Sequence, residues 1–264
     1  MDILQELAAR TKERVEAQKA VIPPVKMAEL AHSLPARGFP FEAALRGPDI
    51  ALICEVKKAS PSKGVITQDF PYLDIAREYE AAGAAAVSVL TEPSRFRGDD
   101  RYLREIADAV SIPLLRKDFT VDSYMIDQAK VLGASAVLLI CALLDDDTLA
   151  TYIRAADNLG LSALVEAHDE KEIRMALDAD ARIVGVNNRD LRTFEVDITL
   201  SEQLRPLVPR DILFVSESGI QSSEDIARLR AAGVNAALVG ESVMRSADKK
   251  AAIARLRGDN YGKN

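Results

Sequence analysis

The segment Ile50-Ala51-Leu52-Ile53-Cys54-Glu55-Val56-Lys57-Lys58-Ala59-Ser60-Pro61-Ser62-Lys63-Gly64 begins as an apolar run and ends as a polar loop. Its first five residues predict a parallel strand that is covered on both faces. Glu55 and Lys57 lie two residues apart, so both side chains project to the same side of that strand. In parallel α/β proteins the carboxyl ends of the strands carry the chemistry. A surface salt bridge would explain the same two residues equally well, so the choice between a catalytic strand end and a salt bridge depends on the rest of the chain.

Similar apolar runs recur along the chain, with helix-patterned segments between them. They lie at Ile50–Val56, Ala86–Leu90, Pro113–Arg116, Ala136–Ile140, Ala163–Val165, Ile183–Val186, Ile212–Val215 and Ala236–Val239. Four glycines, Gly83, Gly133, Gly160 and Gly233, each precede such a run at the place where a helix would end in a left-handed cap. About eight βα units match a (β/α)₈ barrel, which typically has roughly 250 residues.

The main competing fold is a doubly wound sheet, which would carry a glycine-rich phosphate turn after the first strand. Neither GxGxxG nor GxxxxGK[ST] occurs in the sequence. We therefore predict an α/β protein with a (β/α)₈ TIM barrel at residues 48–258, preceded by an N-terminal helical extension at 1–47 and followed by a C-terminal tail at 259–264. Helical patterns near residues 2–20, 27–33 and 41–45 form the extension, which we expect to pack on the barrel.

Composition narrows the functional classes. The chain has 264 residues, is 48% hydrophobic and carries a net charge of −7 without a basic block, which argues against nucleic-acid binding. No apolar run approaches the roughly 20 residues of a membrane span. Cys54 and Cys141 both lie in apolar runs and predict reduced core thiols, with little support for a metal site. We expect a cytoplasmic protein with no membrane partner, and favour a monomer.

Charged and amide side chains stand where the predicted strands end. If all these ends open into one mouth, the following residues converge there: Glu55, Lys57, Lys117, Glu166, Asn187 and Glu217. That arrangement is typical of a barrel enzyme, in which several strands contribute catalytic groups.

Several of these side chains admit more than one interpretation. Lys117 suits a general acid, which we prefer, but also a Schiff-base nucleophile or an ion-pair partner of Asp118. Glu166 suits acid/base work or a solvated strand terminus. Asn187 suits the orientation of a carboxylate or hydroxyl group; the alternative is that this strand end forms an Asx turn using Asn188 or Asp190. His168 is a lone loop histidine with a weak claim to catalysis.

Two glycine turns follow strands seven and eight, at Ser218-Gly219-Ile220 and Val239-Gly240-Glu241-Ser242. A helix is predicted to start near Ser222, soon after the first turn. Backbone N–H groups at glycine turns and helix N-termini are the usual phosphate donors in barrels. We expect the Glu241 carboxylate to turn away from the phosphate.

Taken together, these segments resemble indole-3-glycerol-phosphate synthase. The resemblance is carried, in the order of that family, by Glu55–Ser62, Leu115–Phe119, Leu164–Glu166, Gly185–Leu191 and Ser216–Ile220. It implies ring closure of 1-(2-carboxyphenylamino)-1-deoxyribulose 5-phosphate to indole-3-glycerol phosphate, with loss of carbon dioxide and water, in tryptophan biosynthesis. It also implies a phosphosugar substrate and no cofactor.

The resemblance further implies individual roles. Lys117 matches the general acid of the family, and Glu166 would act as base with support from Glu55 and Lys57. The remaining assignments are Asn187 and Glu217 as further catalytic residues, Ser60, Phe119, Arg189 and Ser218 as substrate-binding residues, and Gly219, Gly240 and Glu241 as phosphate-binding residues. Which lysine serves the dehydration stays open.

Two rival functions remain at this point. Another phosphosugar barrel, such as phosphoribosylanthranilate isomerase or a Schiff-base aldolase, is the nearer one; the isomerase would need an early cysteine, and Cys54 next to Glu55 should point away from the mouth. A non-catalytic anion-binding barrel is the other. We also predict that the loop 58–67 acts as a lid, because its centre is too polar to pack down without ligand.

Overall fold

Every predicted apolar run forms a strand in the computed structural model, which describes residues 3–36, 38–190 and 193–259. The strands are β1 Ala51–Val56, β2 Ala86–Leu90, β3 Leu114–Lys117, β4 Ala136–Ile140, β5 Ser162–Ala167, β6 Ile183–Asn187, β7 Leu213–Glu217 and β8 Ala236–Val239. All their residues are buried except Lys117, which is partly exposed. Burial on both faces is what a continuous apolar run requires of a parallel strand.

These strands form a closed parallel barrel in which each one pairs with its neighbours in sequence. Ile53 of β1 lies beside Ala86 of β2, and Ala51 of β1 lies beside Ala236 of β8, which closes the ring. The (β/α)₈ prediction is confirmed. Since all strands run the same way, all their carboxyl ends open at one mouth.

At least one helix follows each strand, as the glycine pattern predicted. These helices are α4 Tyr72–Ala81, α5 Asp100–Ala109, α6 Tyr124–Val131, α7 Asp146–Asn158, α8 Glu170–Asp178, α9 Thr199–Leu204, α10 Ser223–Ala232, α11 Glu241–Met244 and α12 Lys249–Arg257. Gly83, Gly133, Gly160 and Gly233 all have positive φ, between 69° and 90°. A Cβ there would be strained, which explains the repeated glycine after these helices.

The core has two layers separated by the sheet. Ala51 and Ile53 pack with other inward residues inside the barrel. Leu52, Cys54 and Val56 pack between the strands and the helices. The Cys54 thiol therefore points away from the barrel interior, as its position next to an inward residue predicted.

The N-terminal extension forms α1 Ile3–Val21, α2 Pro24–Ser33 and α3 Pro40–Leu45. Phe41 and Leu45 of α3 join the inner cluster of the barrel. The buried Glu42 carboxylate accepts hydrogen bonds from Arg182, at 3.0 and 2.8 Å, and from the Ser162 hydroxyl at 3.3 Å. Ser162 and Arg182 lie at the amino ends of β5 and β6, so α3 packs at the end opposite the mouth.

Helix α1 lies at the mouth itself. The Arg14 guanidinium donates two 2.8 Å hydrogen bonds to the Asp118 carboxylate, directly after β3, and one to the Thr91 carbonyl, directly after β2. The proposed tail 259–264 lies outside the described residues apart from Asp259. No helix among the described segments is both long and apolar enough to cross a bilayer.

Candidate active site

A cavity of about 830 Å³ opens at the carboxyl ends of the strands. Every residue that the sequence analysis assigned to the site lines it, whereas His168 does not. The assigned residues are Glu55, Lys57, Ser60, Lys117, Phe119, Glu166, Asn187, Arg189, Glu217, Ser218, Gly219, Gly240 and Glu241. The strands bring these side chains together from distant parts of the chain, as expected for a barrel mouth.

Lys117 lies between two carboxylates. Its Nζ is 3.3 Å from Glu166 Oε2 and 3.5 Å from Glu217 Oε2. Burial works to lower the pKa of the Lys117 ammonium, but Glu166, Glu217 and Glu55 outweigh it and raise that pKa. Asp118 is bound by Arg14 instead, so the interpretation of Lys117 as a simple partner of Asp118 is wrong.

The pKa values of the two carboxyl groups beside Lys117 are shifted in opposite directions. Burial raises the pKa of Glu217 to about 7, because Lys117 compensates only part of the desolvation and Glu166 repels the charge. For Glu166, burial also opposes ionisation, yet Lys117 and His168 lower its pKa below the ordinary value. Carboxyl pairs with diverging pKa values are typical of acid/base sites. With 1% of its surface exposed, Glu166 is not a solvated strand terminus.

Gly185 on β6 makes room for the Glu217 side chain. A Cβ built on Gly185 would lie 2.4 Å from Glu217 Oε1. That oxygen is buried and has no hydrogen-bond partner among the described residues, which fits a carboxyl group that is readily protonated.

Glu55 and Lys57 form an ion pair of 2.7 Å at the end of β1. The pair lines the cavity, with only 6% and 17% of the side chains exposed, so it is not the surface salt bridge considered above. The Ser88 hydroxyl donates to Glu55 Oε2 at 3.2 Å. Burial opposes ionisation of Glu55, but Lys57 and Lys117 lower its pKa. A Cβ on Gly240 would lie 2.9 Å from Glu55 and 3.0 Å from Lys57, so glycine lets the β8 turn approach this pair.

The end of β6 is fixed by Asn187. Its Oδ1 accepts the Arg189 N–H at 3.1 Å, which is an Asx turn, and the Ser218 hydroxyl at 2.9 Å. Asn187 itself forms this turn, and its side chain also hydrogen-bonds Glu166. Asn188, by contrast, is buried and does not line the cavity; its side chain donates to the Ser216 hydroxyl and to the Ser218 carbonyl.

The two turns after β7 and β8 lie side by side. Ser218 and Gly219 have positive φ, and α10 begins after the capping box of Ser222. The Ser242 hydroxyl donates to the Ile220 carbonyl at 3.3 Å and joins the turns. Glycine turns and helix N-termini present backbone N–H groups, so both turns are suited to an anion.

Glu241 begins α11, and its carboxylate is held within the rim. Glu241 Oε1 accepts from Arg245 Nε at 3.1 Å and lies 3.9 Å from Lys63 Nζ. The side chain is thus engaged by two cations of the cavity wall, and the loop after β1 is linked to the turn after β8.

One aromatic wall of the cavity was missed from the sequence. Phe96, in the loop after β2, lies with its ring centroid 6.2 Å from that of Phe119. The buried Glu92 carboxylate shapes this loop by accepting the N–H groups of Ser94, Arg95 and Phe96. A phenylalanine in an otherwise polar loop was the available signal.

The predicted lid is more structured than expected. Ala59–Ser60 and Gly64–Val65 pair as a short antiparallel hairpin, Ala59 is buried, and Lys58 Nζ lies 5.8 Å from the centroid of the Phe70 ring. The expectation that the loop is unpacked is therefore wrong for its two arms. Residues 61–63 at its tip are partly exposed, and about half of the Lys63 side chain (48%) is accessible.

Comparison with known proteins identifies relatives of this chain. The sequence model of the family "Indole-3-glycerol phosphate synthase" matches residues 4–256. A relative with that name from Ruminiclostridium cellulolyticum is 57% identical over 97% of this chain and 99% of its own length. Another from Endomicrobium trichonymphae is 52% identical over the same shares of the two chains.

Solved structures with the same fold are more distant in sequence. A 3-hexulose-6-phosphate synthase from Salmonella typhimurium aligns with a TM-score of 0.65 at 16% identity, covering 79% of this chain and 97% of its own. A thiamine phosphate pyrophosphorylase from Pyrococcus furiosus aligns at 0.58 and 18%, covering 79% and 94%. These likenesses show the fold alone. The match over nearly the whole chain, together with relatives above half identity, shows that this chain belongs to the indole-3-glycerol phosphate synthase family.

Proposed function

We propose that Lys117 is the general acid of the reaction of this family and that Glu166 is its principal base. The family closes 1-(2-carboxyphenylamino)-1-deoxyribulose 5-phosphate to indole-3-glycerol phosphate, with loss of carbon dioxide and water, in tryptophan biosynthesis. The observation that carries the proposal is the Lys117 ammonium, held between Glu166 and Glu217 at the wall of the cavity.

The first step needs an acid. The aryl carbon that bears the carboxylate attacks the ribulose carbonyl, and negative charge develops on the carbonyl oxygen. The flanking carboxylates keep Lys117 protonated, so its ammonium can donate a proton to that oxygen. Loss of carbon dioxide then leaves its bonding electrons in the ring and restores the aromatic system.

The second step removes water. The hydroxyl formed from the carbonyl leaves after protonation by a lysine, and a base takes the proton from the neighbouring carbon as the indole double bond forms. Glu166 is ionised, buried and adjacent to Lys117, which suits it to be that base. Lys57, held by Glu55, is the second lysine able to protonate the leaving hydroxyl.

Binding groups surround this centre. Lys57, Arg189 and Asn187 are suited to the anthranilate carboxylate and the sugar hydroxyls, with Ser218 and Glu217 beside them. Phe119 supplies an apolar face for the aromatic ring. Ser60 and the turns at Gly219, Gly240 and Glu241 are assigned to the phosphate.

The acid and base roles are tested by Lys117→Ala and Glu166→Gln, with turnover followed by indole fluorescence. Lys117→Ala should abolish turnover while leaving the fold and phosphate binding intact, and Glu166→Gln should lower kcat more than it raises KM. Activity of Lys117→Ala within tenfold of the wild type, or an unchanged kcat in Glu166→Gln, would refute the respective role.

The phosphate assignment has its own test. Inorganic phosphate should compete with substrate at constant ionic strength, and Gly219→Val should weaken both, since a Cβ there would lie 2.5 Å from the Val196 side chain. An absence of inhibition by phosphate would contradict the assignment.

A Schiff-base aldolase is the alternative that uses the same lysine. It would need a neutral Lys117 amine, whereas the surrounding carboxylates raise the pKa of this group. Borohydride with substrate should therefore trap no adduct. We further propose that the protein works as a cytoplasmic monomer, which sedimentation of the purified protein would check for the oligomeric state.

A further inference from the structure

We propose that His168 is a positioning residue that keeps Glu166 ionised throughout the reaction, and that Glu172 fixes the imidazole for this purpose. The proposal rests on the proposed role of Glu166 as base. It assigns work to a histidine that the sequence alone left without a role.

At the end of β5, His168 lies between the carboxylates of Glu166 and Glu172. His168 Nε2 lies 3.6 Å from Glu166 Oε1, and His168 Nδ1 lies 3.2 Å from Glu172 Oε2. The opposite oxygen of Glu166, Oε2, faces Lys117. Glu166 is therefore flanked by a different cationic partner on each of its oxygens.

Glu172 is itself held by the start of α8. Its carboxylate accepts the backbone N–H of His168 at 2.7 Å, and its own N–H donates to the cap residue Asp169 at 2.8 Å. With the carboxylate fixed in this way, the proton of the imidazole on Nδ1 points to Glu172. The other ring nitrogen is buried, lacks a hydrogen-bond partner among the described residues, and faces Glu166.

The charges around the ring favour the imidazolium. Glu166 on β5, Glu172 on α8 and Glu217 on β7 act on it, Lys117 lies beyond Glu166, and the buried thiol of Cys141 lies beside Glu172. Burial alone would lower the pKa of His168, but the carboxylates raise it. In return, His168 lowers the pKa of Glu166.

The His168 imidazolium is needed because Lys117 cannot both donate its proton to the substrate and keep its charge beside Glu166. When Lys117 gives its proton to the carbonyl oxygen, it loses the charge that holds Glu166 ionised. Glu166 would then tend to take up a proton before the dehydration step, in which it must act as base. The imidazolium of His168 does not take part in that transfer, so it maintains the ionised state of Glu166.

The first experiment measures the coupling directly by NMR titration of the imidazole. The chain has two histidines, and His32 lies exposed on α2. The variant His32→Gln therefore leaves His168 as the only imidazole signal, and it is the reference to which the double variants are compared. In the His32→Gln background, adding Glu166→Gln or Glu172→Gln should lower the titration midpoint of His168 by about one unit each, as expected for the loss of one adjacent charge. An unchanged midpoint in both variants would overturn the proposal.

The second experiment measures kcat against pH in the full-length enzyme. In His168→Gln the midpoint of the acid limb of the kcat–pH profile should rise by about one pH unit. KM and the plateau value of kcat should stay within about threefold of the wild type. Glu172→Gln should move the limb in the same direction by less, and His32→Gln should not move it. An equal loss of kcat at every pH would identify a packing role and overturn the proposal, as would an unmoved limb.

The two proposals fail in different ways. If Glu166→Gln retains full kcat, Glu166 is not the base and this inference falls with it, even where the NMR coupling is present. If Glu166→Gln is inactive but the limb of His168→Gln does not move, the base assignment survives and only the role of His168 is wrong.

Discussion

Arg14 offers a sharp test of how the N-terminal helix contributes to the barrel, because it reaches from α1 to the residue that follows the proposed acid. Its guanidinium donates two hydrogen bonds of 2.8 Å to Asp118 and one of 3.2 Å to the Thr91 carbonyl. The Asp118 side chain is fully buried and that of Arg14 is 17% exposed. We consider Arg14→Met, which removes the charge and keeps most of the aliphatic stem.

The expected loss follows from what Asp118 keeps. Leaving a buried charge without its partner costs about 3–5 kcal/mol. Asp118 would still accept the Thr91 hydroxyl at 2.5 Å and the Phe119 N–H at 2.8 Å, and would keep Arg116 at 3.9 Å. We therefore expect Arg14→Met to lower the free energy of unfolding by about 3 kcal/mol, the low end of that range.

The loss should depend on pH with a definite sign. Burial opposes ionisation of Asp118, but Arg14 and Arg116 hold its pKa below the ordinary value. The stabilisation is therefore present above the pKa of unfolded Asp, about 3.9, and is lost as the pH falls through the lower folded value. The difference between wild type and Arg14→Met should be constant from neutral pH down to about pH 5 and should shrink below about pH 4.

Urea unfolding followed by circular dichroism measures this difference. Arg10→Met on the same helix is the matched control, because Arg10 forms an exposed ion pair with Glu6, and its loss should change stability by less than about 0.5 kcal/mol. A double-mutant cycle with Asp118→Asn should give a coupling of at least about 1 kcal/mol. Equal effects of Arg14→Met and Arg10→Met would refute the reasoning.

Three further predictions concern the mouth. Gly185→Ala should displace the Glu217 carboxylate, lower kcat about tenfold or more and cost about 1–3 kcal/mol of stability. The control Gly47→Ala should be near neutral, because its Cβ would meet nothing closer than 3.4 Å. Equal kcat values for the two variants would contradict this prediction. Burial raises the pKa of Glu217 to about 7, so the folded protein must lose this proton at a cost as the pH rises. Relative to Glu217→Gln, the wild type should lose up to about 3 kcal/mol of stability as the pH rises from about 4.5 to 7. Urea unfolding that shows no such trend would contradict a raised pKa of Glu217. Amide exchange at Ser62 and Lys63 should be fast in the free protein, and a phosphate-bearing substrate analogue should slow it more than it slows exchange in β1. Identical protection with and without the analogue would mean that the loop is a fixed wall.

The barrel was predictable because its signals are local and repeated. A buried parallel strand has to be apolar along its length, as at Ala136–Ile140, and a helix end with positive φ favours glycine, as at Gly133. The convergence of Glu55, Lys117 and Glu166 followed from the same reasoning, since parallel strands end at one mouth.

What the sequence did not reveal depends on geometry between elements. No local pattern states that Lys117 bridges Glu166 and Glu217 while Asp118 binds Arg14, because these partners lie on β5, β7 and α1, far away in the sequence. Phe96 was missed because its loop is shaped by a single buried carboxylate, Glu92, which reads in the sequence as an ordinary charged residue.

The N-terminal extension illustrates the same distinction between lining a site and supporting it. Among the described residues, the cavity wall includes none before Glu55, so α1 and α3 supply no side chain to it. They contact the barrel at opposite ends, through Glu42 at the amino ends of the strands and through Arg14 beside Lys117. Arg14 contacts Asp118 after β3 and the Thr91 carbonyl after β2, so any effect of Arg14 on turnover should act through the positions of these two strand ends. Arg14→Met should accordingly lower kcat while leaving the competition by inorganic phosphate, which is assigned to the distant turns of β7 and β8, unchanged.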